Sequence, residues 1–365
     1  MRSTPMIFWR RRKASSPGKS KPLTYYIIFA VLLMIRLVDS GRRPVSLYWP
    51  VLIGLYVFSA FRFEVGCDWG NYLGNFWFQE GRNFQDAAQS INPGHWLLIE
   101  TLHELGLGYY WLNFVTSAIF FAGLHAIARR SPAPMTILVL AFPVLILNMP
   151  MAAVKQAAAI GFLCFAFNAF IDRRMIRFLI WTALAAAFHG SAIVFLMLLP
   201  FWSGIYTTRS FVYAGILAIP AAGIILSSDS VEVATTRYIV GDADSGGAIF
   251  RVGLLSATGV FYTTMLSKRW AKALPKSHAL ISLLAFGMIG TAVLIPVSTV
   301  IADRLGYFLI VPQLMIFAAL PTLYPRRKAM LIKLAPYAAL TLLFVAWTLL
   351  SSHYRWCYVP YSTTF

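Results

Sequence analysis

From residue 23 to residue 351 the sequence is a succession of apolar stretches parted by short, charged links. The stretches fall at 23–38, 46–61, 109–128, 134–149, 156–171, 211–227, 251–267, 279–296, 305–323 and 334–351, with an odd-sized one at 178–203. A helix needs about 20 apolar residues to cross a bilayer, and about 17 at the least. Irregular backbone and open sheet edges are not tolerated against lipid, so helices are how such stretches satisfy their peptide groups. Composition agrees: 59% of the residues are hydrophobic and 12% charged, roughly half the charge that coats a soluble globule. The expectation is an all-α polytopic integral membrane protein with roughly 10–12 transmembrane helices. Pro143 and Pro312 predict kinked or broken helices within it. No A-x-A cleavage site follows 23–38, so that stretch reads as a retained span rather than a signal peptide.

The links sort into two sets by charge. One set holds Arg36, Arg42 and Arg43, then Arg129 and Arg130, then Arg173, Arg174 and Arg177, then Arg209, then Lys268 to Lys276 and Arg326 to Lys333; its acids are Asp39 and Asp172. The other set holds Arg62, Arg82, Lys155, Arg237, Arg251, Arg304 and Arg355 with the remaining acids. Cation-rich links stay in the cytoplasm, so the first set is expected there. The net charge of +18 accordingly reads as topology, and no nucleic-acid partner is expected. The basic tail 1–22 fits poorly, because strict alternation places it outside. Either the first stretch does not cross fully or the downstream links outvote the tail. Cys67, Cys164 and Cys357 offer no disulfide framework and no paired metal-ligand spacing. The glycine-rich nucleotide motifs and the HExxH zinc motif are absent, which removes ATP-driven transport and zinc proteolysis.

The 178–203 stretch follows Asp172-Arg173-Arg174 and precedes Arg209, so it leaves by the face through which it enters. It is too long for one straight crossing and too short for two full ones. The economical solution is a hairpin of two short helices with its tip at Phe188-His189-Gly190-Ser191, an arrangement found where backbone lines a cavity. His189 is then inside the membrane, toward its outer half.

Four groups on the outer side could carry chemistry. Arg62, Glu64 and Asp68 follow the second stretch, with Gly66 and Gly70 allowing tight turns. Lys155-Gln156 opens the 156–171 stretch, where a cation adds to the positive helix end and strengthens an anion site. His189 is the third, and Asp303-Arg304 with Tyr307 the fourth. Each has a plainer reading: an interfacial aromatic loop, a lysine snorkelling to headgroups, a satisfied core histidine, a local ion pair. Asp242 and Asp244, in the loop 228–250, match a divalent-cation pair cheaply, and no metal or other cofactor is expected. The segment Asn92–Gly106 has Leu98, Leu102 and Leu105 on one face and Glu100, His103 and Glu104 mostly opposite. It reads as a helix lying on the outer surface and as a candidate gate. Cations and bases gathered at one leaflet boundary suit a large anion whose tail stays in lipid, such as a polyprenyl diphosphate. Fixed Arg and Lys would stabilise the departing diphosphate without a metal.

These residues resemble a family pattern. Phe61-Arg62, Gly66, Asp68 and Asn71-Tyr72 resemble a loop of the EpsG exopolysaccharide polymerases, relatives of the Wzy O-antigen polymerases. Lys155-Gln156-x-Ala158 is similar to that family's R-Q-x-[AI] element, and Phe188-His189-Gly190-Ser191-Ala192 to its F-H-x-S-A signature. Asp303-Arg304 with Tyr307 resembles a further element, and Val359-Pro360-Tyr361 a C-terminal one. Cys67 stands where the pattern has Thr, Lys155 where it has Arg, and Asp303 where it has Glu. The resemblance implies an enzyme of lipid-donor glycosyltransferase (GT-C-like) architecture in the bacterial inner membrane. It would join lipid-linked repeat units at the periplasmic face, beside a chain-length regulator and a flippase. The spans and links divide the chain into a basic tail 1–22, a single transmembrane catalytic domain 23–351 with outer loops 61–108, 228–250 and 296–304, and a periplasmic tail 352–365.

The implied reaction is attack by a hydroxyl of one lipid-linked oligosaccharide on the anomeric carbon of another. His189 or Asp68 would be the base, with Arg304 also at the reacting centre. Arg62, Lys155, Gln156 and Arg304 would hold the diphosphate. Trp69, Tyr72, Asp303 and Tyr307 would meet the glycan, with Phe76, Trp77, Trp96, Tyr109 and Trp111 adding rings on the same side; an aromatic girdle explains such rings equally. A ligase moving finished glycan to another acceptor would use nearly the same parts. A lipid-linked-sugar flippase or other transporter would need a polar path reaching both faces.

Overall fold

The computed structural model describes residues 23–38, 47–79, 83–90, 92–203, 206–226, 247–324 and 330–364. The basic tail and the loop bearing Arg237, Asp242 and Asp244 lie outside the described residues. Among the described residues the regular structure is helical, apart from one isolated bridge between Arg62 and Thr363. The helices are α1 Leu23–Val38, α2 Tyr48–Ala60, α3 Trp69–Gln79, α4 Phe84–Gln89, α5 Pro93–Glu104, α6 Tyr110–Ala128, α7 Pro134–Ala141 and α8 Val154–Ile171. Then follow α9 Met175–Phe188, a 3₁₀ helix Gly190–Phe201, α10 Thr208–Leu226, α11 Ala248–Phe261, α12 Ser267–Ala273, α13 Pro275–Leu294, α14 Thr299–Leu323, α15 Met330–Leu350 and α16 Ser352–Cys357.

The apolar stretches read from sequence fall on these helices, and the protein is an all-α polytopic membrane protein. Among the described residues six runs are long and apolar enough to cross a membrane by themselves: α6, α8, α11 through α12, α13, α14 and α15. The other apolar helices are shorter. α2, with 13 residues, is only about 20 Å long. Pro143 behaves as expected, sitting in a π-helical turn, Phe142–Ile146, that continues α7. Pro312 lies inside α14, which runs unbroken through it.

α8 and α14 form the centre. In each, 78% of the membrane-spanning window is buried, against 17% for α15. A helix that is apolar on every side belongs inside a bundle rather than at its rim. α8 also begins Val154-Lys-Gln-Ala-Ala-Ala-Ile-Gly161, and its small residues admit neighbouring backbones. A Cβ on Gly161 would sit 2.4 Å from the Ile119 carbonyl oxygen, so α6 and α8 touch main chain to main chain there.

The hairpin is present. Phe170 meets Phe178 and Phe162 meets Phe188, so α9 runs antiparallel to α8. Phe195 then returns to Phe167, deeper along α8, so the chain reverses at His189, which is extended at φ −150°. The returning limb is 3₁₀ rather than α-helical. Its 12 residues reach about 24 Å at about 2.0 Å each, farther than an α-helix of that length.

Contacts at the two ends of the bundle sort the links as the charges do. At one end the Arg130 fork grips Asp172 at 2.8 and 2.6 Å, joining two of the cation-rich links. Arg36 donates to the Thr136 hydroxyl nearby in sequence to that end, at 2.7 Å. At the other end Tyr25 donates to the Tyr358 carbonyl at 2.8 Å. α1 therefore makes contacts at both ends of the bundle.

The cysteine expectation is corrected. Cys67 and Cys357 form a disulfide across a sequence separation of 290, and Cys164 is free and buried. The partners meet because the C-terminal segment folds back on the loop after α2. Gly66 N–H donates to the Cys357 carbonyl at 2.7 Å, Phe63 N–H to Ser362 at 2.9 Å, and Thr364 N–H to Phe61 at 3.0 Å. The buried face of α5 is corrected too: it carries His95, Ile99, Glu100 and Leu102, while Leu105 is exposed. The helix stops at Glu104, and it packs through Gly94 on Phe188 of the hairpin rather than through a leucine stripe.

Gly161→Leu is expected to lower the thermal unfolding temperature of purified protein by several degrees, since overpacking costs about 1–3 kcal/mol or more. Gly54→Leu, at a position where a Cβ would meet nothing, should leave it unchanged.

Candidate active site

The two most buried spans, α8 and α14, begin at the same end of the bundle, the end that carries the disulfide. Gln156 Nε2 donates to the Arg304 carbonyl at 2.6 Å and ties the two starts together. Helix N-termini carry partial positive charge and unpaired N–H groups. Lys155 therefore adds a full charge at the positive start of α8, and Arg304 adds another in the second turn of α14.

The loop after α2 is pressed onto this point. Gly66 adopts φ +101°, and a Cβ there would sit 2.0 Å from the Met151 carbonyl oxygen. Only glycine fits, and its closeness to the 149–153 link delivers Asp68 to the start of α8. Lys155 and Arg304 both act electrostatically on the Asp68 carboxylate, and Asn71 hydrogen-bonds it. Burial is nevertheless the largest influence and raises the Asp68 pKa above the ordinary carboxylate value.

The hairpin tip completes the cluster. Arg304 and Lys155 also act on the His189 ring. His189 Nδ1 and Ser191 Oγ share a 2.7 Å hydrogen bond, and Phe308 of α14 lies edge-on at 5.8 Å. Gly190 N–H donates to Asn92 Oδ1 at 2.9 Å, which pins α5 to the tip. Asp68, Lys155, Gln156, His189 and Arg304, drawn from four separate places in the sequence, thus share one neighbourhood. Tyr72 joins them: its hydroxyl bonds the Lys155 backbone, and its ring lies 5.8 Å from the Lys155 ammonium.

Other candidates are placed differently. Arg62 is wholly buried, with Nε donating to the Val65 carbonyl at 3.2 Å, Nη1 to the Ser59 carbonyl at 2.8 Å and Nη2 to Asn113 Oδ1 at 2.9 Å. Its fork braces the loop that carries Asp68. Asp303 faces Arg251, which donates to its two oxygens at 2.9 and 2.6 Å, and Arg251 lies over the Tyr307 ring at 5.6 Å. This pair locks α11 to the start of α14, where a local Asp303–Arg304 pair was the plainer expectation. Trp69 is buried in a small outer core with Tyr72, Phe76, Ile99, Leu102, Tyr109 and Leu112. Trp77 and Trp111 are exposed, and Trp96 is half-buried with the Lys155 ammonium 5.1 Å from its ring.

Sequence reasoning missed Asn92, Asn113, Arg251 and His95. Asn92-Pro93 was a visible helix start, but the partners of these side chains lie far away in sequence. A cavity of about 550 Å³ lined by Arg130, Asp172, Trp270 and Lys276 lies at the opposite end and holds none of the site candidates.

A family model described as the EpsG family matches residues 46–363. The chain belongs to the EpsG family. No curated protein and no solved structure matches it. EpsG proteins are exopolysaccharide polymerases, and the match runs through each of the clustered residues. The departure at Cys67 has a structural account in its bond to Cys357. At Asp303 the shorter acid still meets both donors of Arg251.

Asp68 gives a pH signature. Its folded pKa is raised, so between the ordinary value of 3.8 and that raised value the folded state binds more protons than the unfolded one. Stability contributed by the protonated form is full below the unfolded pKa and is lost as pH rises through the folded pKa. Asp68→Asn should therefore raise the unfolding temperature at pH 7, and the increment should shrink as the pH falls toward 4.

Proposed function

We propose that this EpsG protein joins polyprenyl-diphosphate-linked oligosaccharide repeat units at the periplasmic face of the bacterial inner membrane. The observation that carries the reading is the meeting of Lys155, Arg304, His189 and Asp68 at the paired N-termini of the two most buried helices. Such a site favours a dense anion placed at one boundary of the membrane, with its apolar tail in lipid. The Cys67–Cys357 bond supports an extracytoplasmic assignment for this end, because disulfides persist in oxidising compartments. The Arg129–Arg130, Arg173–Arg174 and Lys268–Lys276 links at the other end support the same orientation.

In this reading a hydroxyl oxygen of the acceptor repeat unit attacks the anomeric carbon of the donor. The bond from that carbon to the diphosphate oxygen breaks, and the diphosphate leaves with the electron pair. Lys155 and Arg304, with Gln156 bridging the helix ends, hold the diphosphate and balance its developing charge. The attacking hydroxyl gives its proton to His189 or to Asp68. Burial suits Asp68 to the task, since a raised carboxylate pKa makes a stronger base. Tyr72 lies against the cation that holds the donor. Arg62, Asp303 and Tyr307 act as positioning residues, the first for the Asp68 loop and the others for the start of α14. Bond formation opposite the departing diphosphate inverts the anomeric centre. A chain-length regulator and a flippase are the expected neighbours in the membrane.

Purified protein supplied with a defined lipid-linked repeat unit should build polymer, and a chelator should not change the rate. His189→Ala and Arg304→Ala should each lower turnover by about a hundredfold or more, measured as polymer formed per unit time. Full activity in both variants would remove the site assignment, and loss of activity with chelator would revive a metal at Asp242 and Asp244.

A further inference from the structure

α5 holds a histidine that the roles above leave without a task. His95 is wholly buried, at 0% exposure, and neither ring nitrogen has a hydrogen-bond partner. The Tyr72 and Trp96 rings lie edge-on to it, each with centroids 5.7 Å away. Burial first, and the Lys155 charge second, hold its pKa well below the usual histidine range. The ring is thus a neutral imidazole with one N–H donor and one bare acceptor, both unpaired. An apolar ring of similar size would fill the space without stranding two polar atoms, and buried groups left in this way call for an explanation. A second unpaired atom, Glu100 Oε2, lies on the buried side of the same helix.

We propose that His95 binds sugar hydroxyls of the acceptor repeat unit when α5 shifts to admit the glycan, its N–H donating to one hydroxyl and its bare nitrogen accepting from another. A hydroxyl both donates and accepts, so neighbouring hydroxyls of a sugar suit the two nitrogens, whereas a phosphate oxygen only accepts and is served by Lys155 and Arg304. Trp96, next along the chain and half-buried, offers a ring face for the sugar beside the imidazole. The Lys155 ammonium over that same ring places the acceptor hydroxyl beside the donor's diphosphate. Asn92, at the start of α5, holds Gly190 next to His189, so a shift of α5 is felt at the hairpin tip. The inference rests on the polymerase reading for the identity of the glycan, and on the geometry alone for the presence of a ligand.

The test uses full-length protein in lipid nanodiscs and the lipid-linked repeat unit extracted from cells that lack this chain. His95→Phe keeps the packing and removes both nitrogens; His95→Gln restores a donor and an acceptor. The Phe variant should unfold at the same temperature as the parent or higher. Its kcat/KM should fall by about tenfold or more, through KM, and the Gln variant should recover most of the loss. Phe within twofold of the parent, or Gln no better than Phe, overturns the assignment. Binding of the oligosaccharide released from the same lipid, followed by tryptophan fluorescence, reads the contact without turnover. Binding that weakens in Phe and returns in Gln, in a protein that makes no polymer, would keep the His95 site and reject the polymerase reading. Binding equal in all three proteins would reject the site.

Discussion

The Gln156 amide bonded to the Arg304 carbonyl is the contact around which the rest is arranged. It holds the N-termini of α8 and α14 together, two positive helix ends to which Lys155 and Arg304 add their own charges. Left alone, like charges set together repel one another. The surrounding structure answers in two ways. It supplies Asp68 from a loop wedged against the helix starts, and it sets the hairpin tip and its imidazole beside them. The proposed chemistry draws on this gathering of positive charge beside a base.

Outer elements hold this arrangement in place. The C-terminal segment closes over the Asp68 loop through the disulfide and three backbone hydrogen bonds. Arg62 braces the loop from beneath, and Arg251 fixes the start of α14 through Asp303. The Tyr72 and Trp96 rings flank Lys155. A lysine lacks the bidentate fork of the arginine usual at that position, and these rings limit where its ammonium can go. The charged groups that brace the site and those that cluster within it are therefore different residues, although both kinds sit in the same short motifs.

The spans were legible because each is a local statement: an apolar run of a given length between charged links. The hairpin was legible from parity, since its two flanks carry the same kind of link. The site motifs were legible through the family pattern and through the placement of cations at helix starts. What stayed hidden joins distant parts of the chain. Cys67 with Cys357, Asp303 with Arg251 and Arg62 with Asn113 have no spacing that announces them. The same holds for α5, whose leucine pattern suggested one buried face while packing on Phe188 selected another that includes His95 and Glu100.

The central claim is that the joined starts of α8 and α14 receive a lipid-borne diphosphate. A cryo-electron microscopy map of the protein in nanodiscs with a polyprenyl diphosphate tests it most directly. The account predicts phosphate density within about 4 Å of both the Lys155 ammonium and the Arg304 guanidinium, beside the His189 tip, with the prenyl chain leaving toward lipid. Density that instead settles among Arg130, Lys276 and the opposite cavity, with nothing at Lys155 and Arg304, would contradict it.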